Sequence, residues 1–255
     1  EEARKLLADA NALLDKIEAE NWLQPKALVQ IFPANSNGDD IVIYQDESRT
    51  EVRAVLPCLR QQMDKSGAKP NLALSDYVAP AGIADWVGAF CVSSGHGVAE
   101  IAASFEQQND DYQAILLKSV ADRLAEANAE RLHHLVRTDL WGTTPNESFS
   151  NNDLISEKYL GIRPAPGYPA CPDHSTKRTL FSLIDATLNT GVELTDSMAM
   201  MPASSVSGWI FGHPESKYFG VGRIGRDQVK DYADRHGVSV ESVERWLGPS
   251  LNYER

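Results

Sequence analysis

The chain has 255 residues, of which 42% are hydrophobic, and a formal net charge of −12. This length and composition predict a folded core, and the acidic balance argues against binding to nucleic-acid phosphates or anionic membranes. Its three cysteines are widely spaced and it has no run of 18 apolar residues, so neither a disulfide framework nor a membrane span is indicated, and a reducing, cytoplasmic setting is expected.

The first half of the chain predicts a helix followed by strands. "EEARKLLADANALLDKI" carries apolar residues at spacings of three and four, typical of an amphipathic helix that ends near Asn21. This rhythm starts without an initiator methionine, so we expect a piece of a longer protein. Residues 27–56 predict a strand, a turn, a second strand, a further turn and an extended segment, with a turn signal at Asn37-Gly38, so we expect antiparallel pairing. "ADWVGAFCVSS" predicts a further strand, apolar enough to be central in a sheet.

Residues 98–137 contain no proline and predict one long helix or two helices joined end to end. On a helical projection, one stripe changes from apolar residues to the acids Asp122 and Glu126 and then to His133. If its apolar part faces the core, the two acids lie in a buried or cleft position and need partners; otherwise they are solvated. His133 and His134 point about 100° apart, which favours a helix-surface pair over a metal site.

The stretch "GIRPAPGYPACPDH", residues 161–174, holds four prolines. Proline excludes a helix or a central strand and predicts a stiff, extended path. Arg163 offers an anion-binding side chain, Tyr168 an aromatic ring, and Gly167 a backbone that reaches φ values other residues avoid. From these residues alone, a ligand-holding strip and a proline-rich surface connector are both open interpretations.

The last third predicts a helix over residues 176–189 that Gly191 stops, then a hairpin in "SVSGWIFGHPESKYFGVGRI" with His213-Pro214 in its connection. The end predicts two helices around a short glycine turn, with Ser239 as an N-cap. A helix-turn-helix DNA reader has a similar outline, but the acidic charge disfavours it. The sequence contains no dinucleotide-binding, P-loop, zincin or nucleophile-elbow motif and no convincing linker, so we expect one domain.

Several further motifs occur around the proline-rich stretch in a fixed order. "PANSNGDDIVIY", "DESRT", "LRQQ", "DYVAP" and "ADRLAEA" precede it, and "MPASSVSGWIFGHPESKYF" and "VERWLGPSLNY" follow it. With them, nearly the whole chain resembles the C-terminal reactivation domain of cobalamin-dependent methionine synthase. The resemblance implies a single α+β domain over residues 1–255, C-shaped, with a bent antiparallel sheet flanked by helices.

The resemblance also implies a binding site for S-adenosylmethionine, in which Arg163 holds the ligand carboxylate. Asp122 matches an acid that meets the histidine released from cobalt when the domain docks on the cobalamin module. No catalytic residue and no metal ligand is implied for this chain. The residues implied to contact the ligand are Glu126, Arg163, Ala165, Gly167, Tyr168 and Tyr218.

In this family the domain does not itself make methionine. The resemblance implies that it supports reductive remethylation of cob(II)alamin, with cobalamin on a neighbouring module. Flavodoxin or a related flavoprotein reductase supplies the electron, and S-adenosylmethionine supplies the methyl group. The chain would then be part of a methyltransferase of methionine biosynthesis. The alternative is a stand-alone S-adenosylmethionine sensor or interaction domain without a cobalamin partner.

Two more expectations follow from the resemblance. The family domain has an N-terminal arm that supplies an aspartate to the ligand, and this sequence lacks it, so we expect weakened affinity. Flavodoxins are acidic, so docking on this acidic chain requires a local basic patch. The candidates for that patch are Lys177, Arg178, Lys217 and Arg223.

Overall fold

The structure is a computed structural model that describes residues 1–67 and 69–254. Over these residues the backbone forms eight α-helices and seven strands. The helices are α1 (Glu2–Glu20), α2 (Val98–Gln107), α3 (Asp111–Leu135), α4 (Asn151–Ile155), α5 (Thr176–Leu183), α6 (Ala186–Thr190), α7 (Arg226–His236) and α8 (Val240–Trp246). The strands are β1 (Lys26–Asn37), β2 (Asp40–Tyr44), β3 (Val52–Pro57), β4 (Trp86–Ser93), β5 (Glu193–Leu194), β6 (Met200–Met201) and β7 (Ser205–Ile210).

Within the described part of the chain, five strands form an antiparallel sheet in the order β3-β2-β1-β4-β7. The predicted α+β class is confirmed. β1 and β2 pair Asn37 with Asp40, so Gly38 and Asp39 form the connecting loop, one residue beyond the predicted turn signal. The predicted central strand is β4, which lies inside this order and is buried from Val87 onward.

The chain divides into two compact units. The first unit contains residues 1–28, 91–134 and 185–206, and the second contains residues 29–90, 135–184 and 207–255. In the first unit, apolar residues of α1, α2 and α3 pack together, as their helical spacing predicts. The buried members of this core are Leu13, Ile17, Leu23, Ala102, Ala114, Leu116, Leu117, Val120 and Ala121.

In the second unit, α7 and α8 form the predicted pair of helices. Gly237, at φ +68, ends α7, and Ser239 caps α8 by accepting the backbone N–H of Ser242 at 3.2 Å. Both helices bury their apolar faces in one core cluster. Its buried members are Leu59, Val221, Ile224, Val229, Tyr232, Ala233, Val243, Leu247 and Leu251.

The proline-free stretch forms two helices, α2 and α3, rather than one continuous helix. The core face of α3 follows Ala121, Ala125 and Ala129 at intervals of four, whereas Asp122 and Glu126 are exposed. Of the two positions considered for these acids, the structure shows the exposed one for both. His133 is buried because it follows Ala129 by four residues on the core face, which contradicts the predicted surface pair.

Two other predicted elements differ from the structure. The helix expected over residues 176–189 is broken into α5 and α6 where Asp185 takes a left-handed φ of +48, although Gly191 does end it. The hairpin expected after Ser205 is wrong, since β7 is followed by irregular chain that contains Pro214. Among the described residues, no helix combines the length and apolar content that a membrane crossing requires.

Candidate functional site

The proline-rich stretch begins as an extended segment beside β7 in the second unit. Ile162 and Phe211 exchange backbone hydrogen bonds of 3.1 and 3.0 Å, and the N–H of Trp209 donates to the carbonyl of Pro164 at 3.0 Å. Pro164 uses only its carbonyl in this pairing, so the missing N–H of proline costs no hydrogen bond. The predicted extended path is confirmed for the first part of the stretch, and this part occupies the edge of β7 where a hairpin partner was expected.

The second part of the stretch makes two successive turns. The N–H of Tyr168 donates to the carbonyl of Ala165 at 3.1 Å, around Pro166 and Gly167. Gly167 takes φ +97, which is typical of the third position of a type II turn. The N–H of Cys171 then donates to the carbonyl of Tyr168 at 2.9 Å. An extended path is wrong for this part, because proline also suits the second position of a turn.

The turn at Gly167 lies against His174. A Cβ at Gly167 would lie 1.9 Å from a ring carbon of His174, so a larger residue cannot be placed there without displacing the ring. The Nδ1 atom of His174 lies 3.2 Å from the Nζ atom of Lys177. Burial lowers the pKa of both groups, and the Lys177 charge lowers the pKa of His174 further. Lys177 is only 6% exposed, which contradicts its assignment to a surface patch.

Arg163 is held at two points by tyrosine hydroxyls. Its backbone N–H donates to the Oη of Tyr218 at 3.0 Å, and its Nη1 donates to the Oη of Tyr159 at 2.9 Å. Burial raises the pKa of Tyr218 to about 12, so its hydroxyl stays protonated at neutral pH. Tyr159 was not among the predicted site residues. The available signal was its place four residues before Arg163, at the entry to the proline-rich stretch.

A buried ion pair lies against the ring of Tyr159. The guanidinium carbon of Arg137 is 4.4 Å from the ring centroid, within the range of a cation–π contact. The Nε of Arg137 donates to Glu147 at 2.7 Å, and the two side chains are 3% and 2% exposed. Thr144 donates a further hydrogen bond to Glu147 at 3.1 Å. The ring of Tyr159 therefore packs against a buried ion pair that is itself held by hydrogen bonds.

The chain is similar to known proteins over most of its length. Residues 1–237 match the family described as vitamin B12 dependent methionine synthase, activation domain. The chain belongs to this family. It is also similar to the crystal structure of the MetH reactivation domain bound to AdoHcy, with 55% sequence identity and a TM-score of 0.96. That match covers 99% of this chain and 78% of the other. The resemblance inferred from the sequence motifs is confirmed.

The activation domain carries the predicted site residues in both units. In the second unit, Arg163 contacts Tyr218 directly, and three others share the turn described above, with Tyr168 60% exposed. In the first unit, Asp122 and Glu126 lie one helical turn apart on the exposed face of α3.

Asp122 has a partner that is distant in the sequence. Its Oδ1 accepts a hydrogen bond from the hydroxyl of Ser204 at 2.6 Å. Ser204 is 6% exposed and belongs to the same unit, although it is 82 residues away along the chain. No periodicity or motif spacing links two such positions, so only the folded chain reveals the pair.

Proposed function

We propose that this activation domain binds S-adenosylmethionine and supports the reductive remethylation of cob(II)alamin in cobalamin-dependent methionine synthase. The observation that carries the proposal is its 55% identity to a MetH reactivation domain bound to AdoHcy. AdoHcy is S-adenosylmethionine without the transferable methyl group, so both present the same carboxylate, ammonium and adenosine. Membership of the family favours this role over that of a stand-alone sensor.

The residue types around Arg163 fit the amino-acid end of such a ligand. A planar guanidinium can donate two parallel hydrogen bonds to a carboxylate, and such charge-assisted bonds are stronger than neutral ones. Arg163 is only partly buried, and its backbone is fixed by Tyr218. We assign the ligand carboxylate to Arg163 and a lining role to Tyr218.

The turn formed by Ala165, Gly167 and Tyr168 fits the adenosyl end. The turn fixes the left-handed φ of Gly167, and the missing side chain makes room for the ring of His174 against the turn. The ring of Tyr168 is exposed and offers an apolar face for stacking. We assign these three residues to the adenosine. The support for Glu126 as a further ligand residue is the family resemblance, together with its exposed carboxylate.

The chain contributes binding and orientation to this reaction. Cobalamin, on a neighbouring module, would supply the methyl acceptor, and flavodoxin or a related flavoprotein reductase would supply the electron. Positioning of reacting groups is a recognised source of rate enhancement that needs no side-chain nucleophile. We assign Asp122 to the contact with the cobalamin module, since its carboxylate is exposed and is oriented by Ser204.

Calorimetric titration of AdoHcy and of S-adenosylmethionine tests the ligand assignment. Wild type is compared with Arg163→Lys, which keeps the charge but loses the two parallel N–H donors of the guanidinium, and with Arg163→Ala. Loss of one charge-assisted bond predicts roughly tenfold to hundredfold weaker binding for Arg163→Lys, and at least as much for Arg163→Ala. The exposed Arg245, changed in the same two ways, is the control, and melting temperatures report folding.

The outcomes separate three cases. Equal affinity of wild type and Arg163→Lys would exclude bidentate anchoring. Equal affinity of all three proteins would remove Arg163 from the site. Absence of binding to wild type would overturn the proposed function.

The same proposal implies that the chain alone makes no methionine. Homocysteine, folate and cobalamin binding are assigned to other modules of the enzyme. The purified chain, supplied with homocysteine and methyltetrahydrofolate, should therefore show no turnover in an assay for methionine. Turnover above that of a heat-denatured sample would contradict the assignment.

A further inference from the structure

We propose that Tyr159 is a positioning residue for ligand binding, whose hydroxyl holds the guanidinium of Arg163 in place to receive the ligand carboxylate. The inference rests on the proposed function, since it gives Arg163 the same role. Neither the motifs nor the family resemblance assigned a role to Tyr159. The geometry that supports it is the 2.9 Å hydrogen bond from Nη1 of Arg163 to the Oη of Tyr159.

An arginine side chain has several rotatable bonds, and ordering it when a ligand binds costs conformational entropy. In Arg163 the two ends of the residue are already fixed, the backbone by Tyr218 and the guanidinium by Tyr159. The contact with Tyr159 uses one N–H of a group that has five in a planar fork. A pre-ordered guanidinium binds a carboxylate more tightly than a mobile one.

Tyr159 can act as a fixed point because it is itself immobilised. It is 7% exposed, and its ring lies 4.4 Å from the guanidinium carbon of Arg137. Arg137 is in turn held by two nitrogens on the carboxylate of Glu147, inside the unit. A buried, doubly hydrogen-bonded pair of this kind has one geometry. The order of support therefore runs from Glu147 through Arg137 and Tyr159 to Arg163.

Two arginine side chains lie close to the ring of Tyr159. The guanidinium carbons of Arg137 and Arg163 lie 4.4 and 5.6 Å from the same ring centroid, so two cations share one aromatic ring. Glu147 neutralises Arg137 inside the protein. Arg163 is the more exposed of the two arginines, so it is the one that a ligand carboxylate can reach. The ring contact alone does not fix the direction of the guanidinium of Arg163, whereas the hydrogen bond to Oη does, so the hydroxyl of Tyr159 is the group to remove.

The test uses Tyr159→Phe, which keeps the ring and its contacts with Arg137 and Arg163 but removes the hydroxyl. Binding is measured with AdoHcy and with 5′-methylthioadenosine, an adenosine thioether that has no amino-acid carboxylate. We expect roughly threefold to tenfold weaker binding of AdoHcy and unchanged binding of 5′-methylthioadenosine. Tyr253→Phe is the matched control, because its hydroxyl donates to Glu244 and its ring contacts Arg226.

A double-mutant cycle keeps the test independent of any general weakening of the fold. If Tyr159 acts through Arg163, adding Tyr159→Phe to Arg163→Ala causes no further loss of AdoHcy affinity. Equal AdoHcy affinity of wild type and Tyr159→Phe overturns the inference while leaving the proposed function intact. Equal losses for both ligands, or an additive cycle, also overturn it. Absence of AdoHcy binding to wild type overturns the proposed function instead.

Discussion

The hydroxyl of Tyr218 accepts a hydrogen bond from the backbone N–H of Arg163 at 3.0 Å. Ile162 directs its N–H and carbonyl toward β7, and in an extended segment the N–H of the next residue points the opposite way. The edge of β7 therefore cannot satisfy the N–H of Arg163, and Tyr218 does so from the other side. Tyr218 thus supplies the missing hydrogen-bond acceptor of the proline-rich stretch at Arg163, the residue assigned to the ligand carboxylate.

Tyr218→Phe should lower both the stability of the protein and its affinity for the ligand. Loss of the acceptor leaves the N–H of Arg163 without this partner and should lower the free energy of unfolding by about 1 kcal/mol. AdoHcy affinity should fall several-fold, because the strip then holds Arg163 less firmly. Urea unfolding and calorimetric titration measure the two effects. Tyr112→Phe, which removes an exposed hydroxyl bonded to Asp9, is the control, and identical losses in both variants would count against the assignment.

The variants Gly167→Ala and Gly82→Ala together distinguish two causes of destabilisation, the strain of a left-handed backbone and the clash of an added Cβ with a neighbouring side chain. Both glycines take φ +97 and occupy the third position of a turn, but a Cβ at Gly82 meets no atom within 4 Å. Gly82→Ala should destabilise by about 1–2 kcal/mol, the usual penalty of a left-handed residue. Gly167→Ala should cost more, because the Cβ displaces the ring of His174.

The excess destabilisation at Gly167 should depend on His174. In a His174→Ala background, Gly167→Ala should cost no more than Gly82→Ala, as measured by urea unfolding. A persistent difference would show that the ring is not the obstacle. AdoHcy titration of the same variants then asks whether the turn itself is needed for adenosine binding.

Local pattern was sufficient to predict most helices, the β1–β2 hairpin and the central strand. Each depends on residues that are neighbours in sequence, such as Ser239 three residues before Ser242 or the loop at Gly38. The proline-rich stretch shows the limit of that reasoning. Proline restricts φ equally in an extended strip and in a turn, so the sequence could not tell where Pro164 gives way to Pro166.

The prediction of which face of α3 is buried failed for a different reason. The positions from Tyr112 to Glu126 do share one face, because they lie within the single helix α3, but the projection could not tell whether that face is buried or exposed. Small residues then decide the core face, since Ala121 and Ala125 allow close packing where larger residues were expected. Two contacts near the site could not be predicted either, because their partners are distant in the sequence. These are the contact of Tyr159 with Arg137 and that of Ser204 with Asp122.

Stability should decline in mild alkali because buried thiols must ionise when the chain unfolds. Burial raises the pKa of Cys91 to about 11 and that of Cys171 to about 12, from an ordinary value of 9.0. The folded state therefore holds these protons more tightly than the unfolded state. Below pH 9 the shifts have no effect on the unfolding free energy, and from pH 9 up to the folded pKa values stability falls. The slope is at most about 1.4 kcal/mol per pH unit for each thiol.

Urea unfolding between pH 8 and pH 10.5, in the presence of a reducing agent, measures this decline. The double variant Cys91→Ala/Cys171→Ala should be less stable than wild type at pH 8 but should lose less stability above pH 9. Some slope should persist, because burial also raises the pKa of Cys58. Parallel curves for wild type and the double variant would show that these two thiols do not control the alkaline transition.

Docking of an acidic flavoprotein should depend on Arg178 and Lys217. Of the four basic residues considered, Lys177 is buried, and Arg223 donates to the carbonyls of Pro249 and Leu251. Arg178 and Lys217 are exposed, so they can contact a partner. Arg178→Glu/Lys217→Glu should slow association with flavodoxin roughly tenfold at low ionic strength, because charge steering dominates the encounter rate.

The control for this prediction must carry the same change in net charge. Lys230→Glu/Arg245→Glu reverses two other exposed basic residues of the second unit, so a general repulsion would slow both double variants equally. Local docking predicts a larger defect for the Arg178 and Lys217 pair. That excess should shrink as salt shortens the Debye length from about 30 Å at 0.01 M to about 8 Å at 0.15 M. Stopped-flow association rates across this range decide the matter, and equal rates for the two double variants would remove Arg178 and Lys217 from the docking surface.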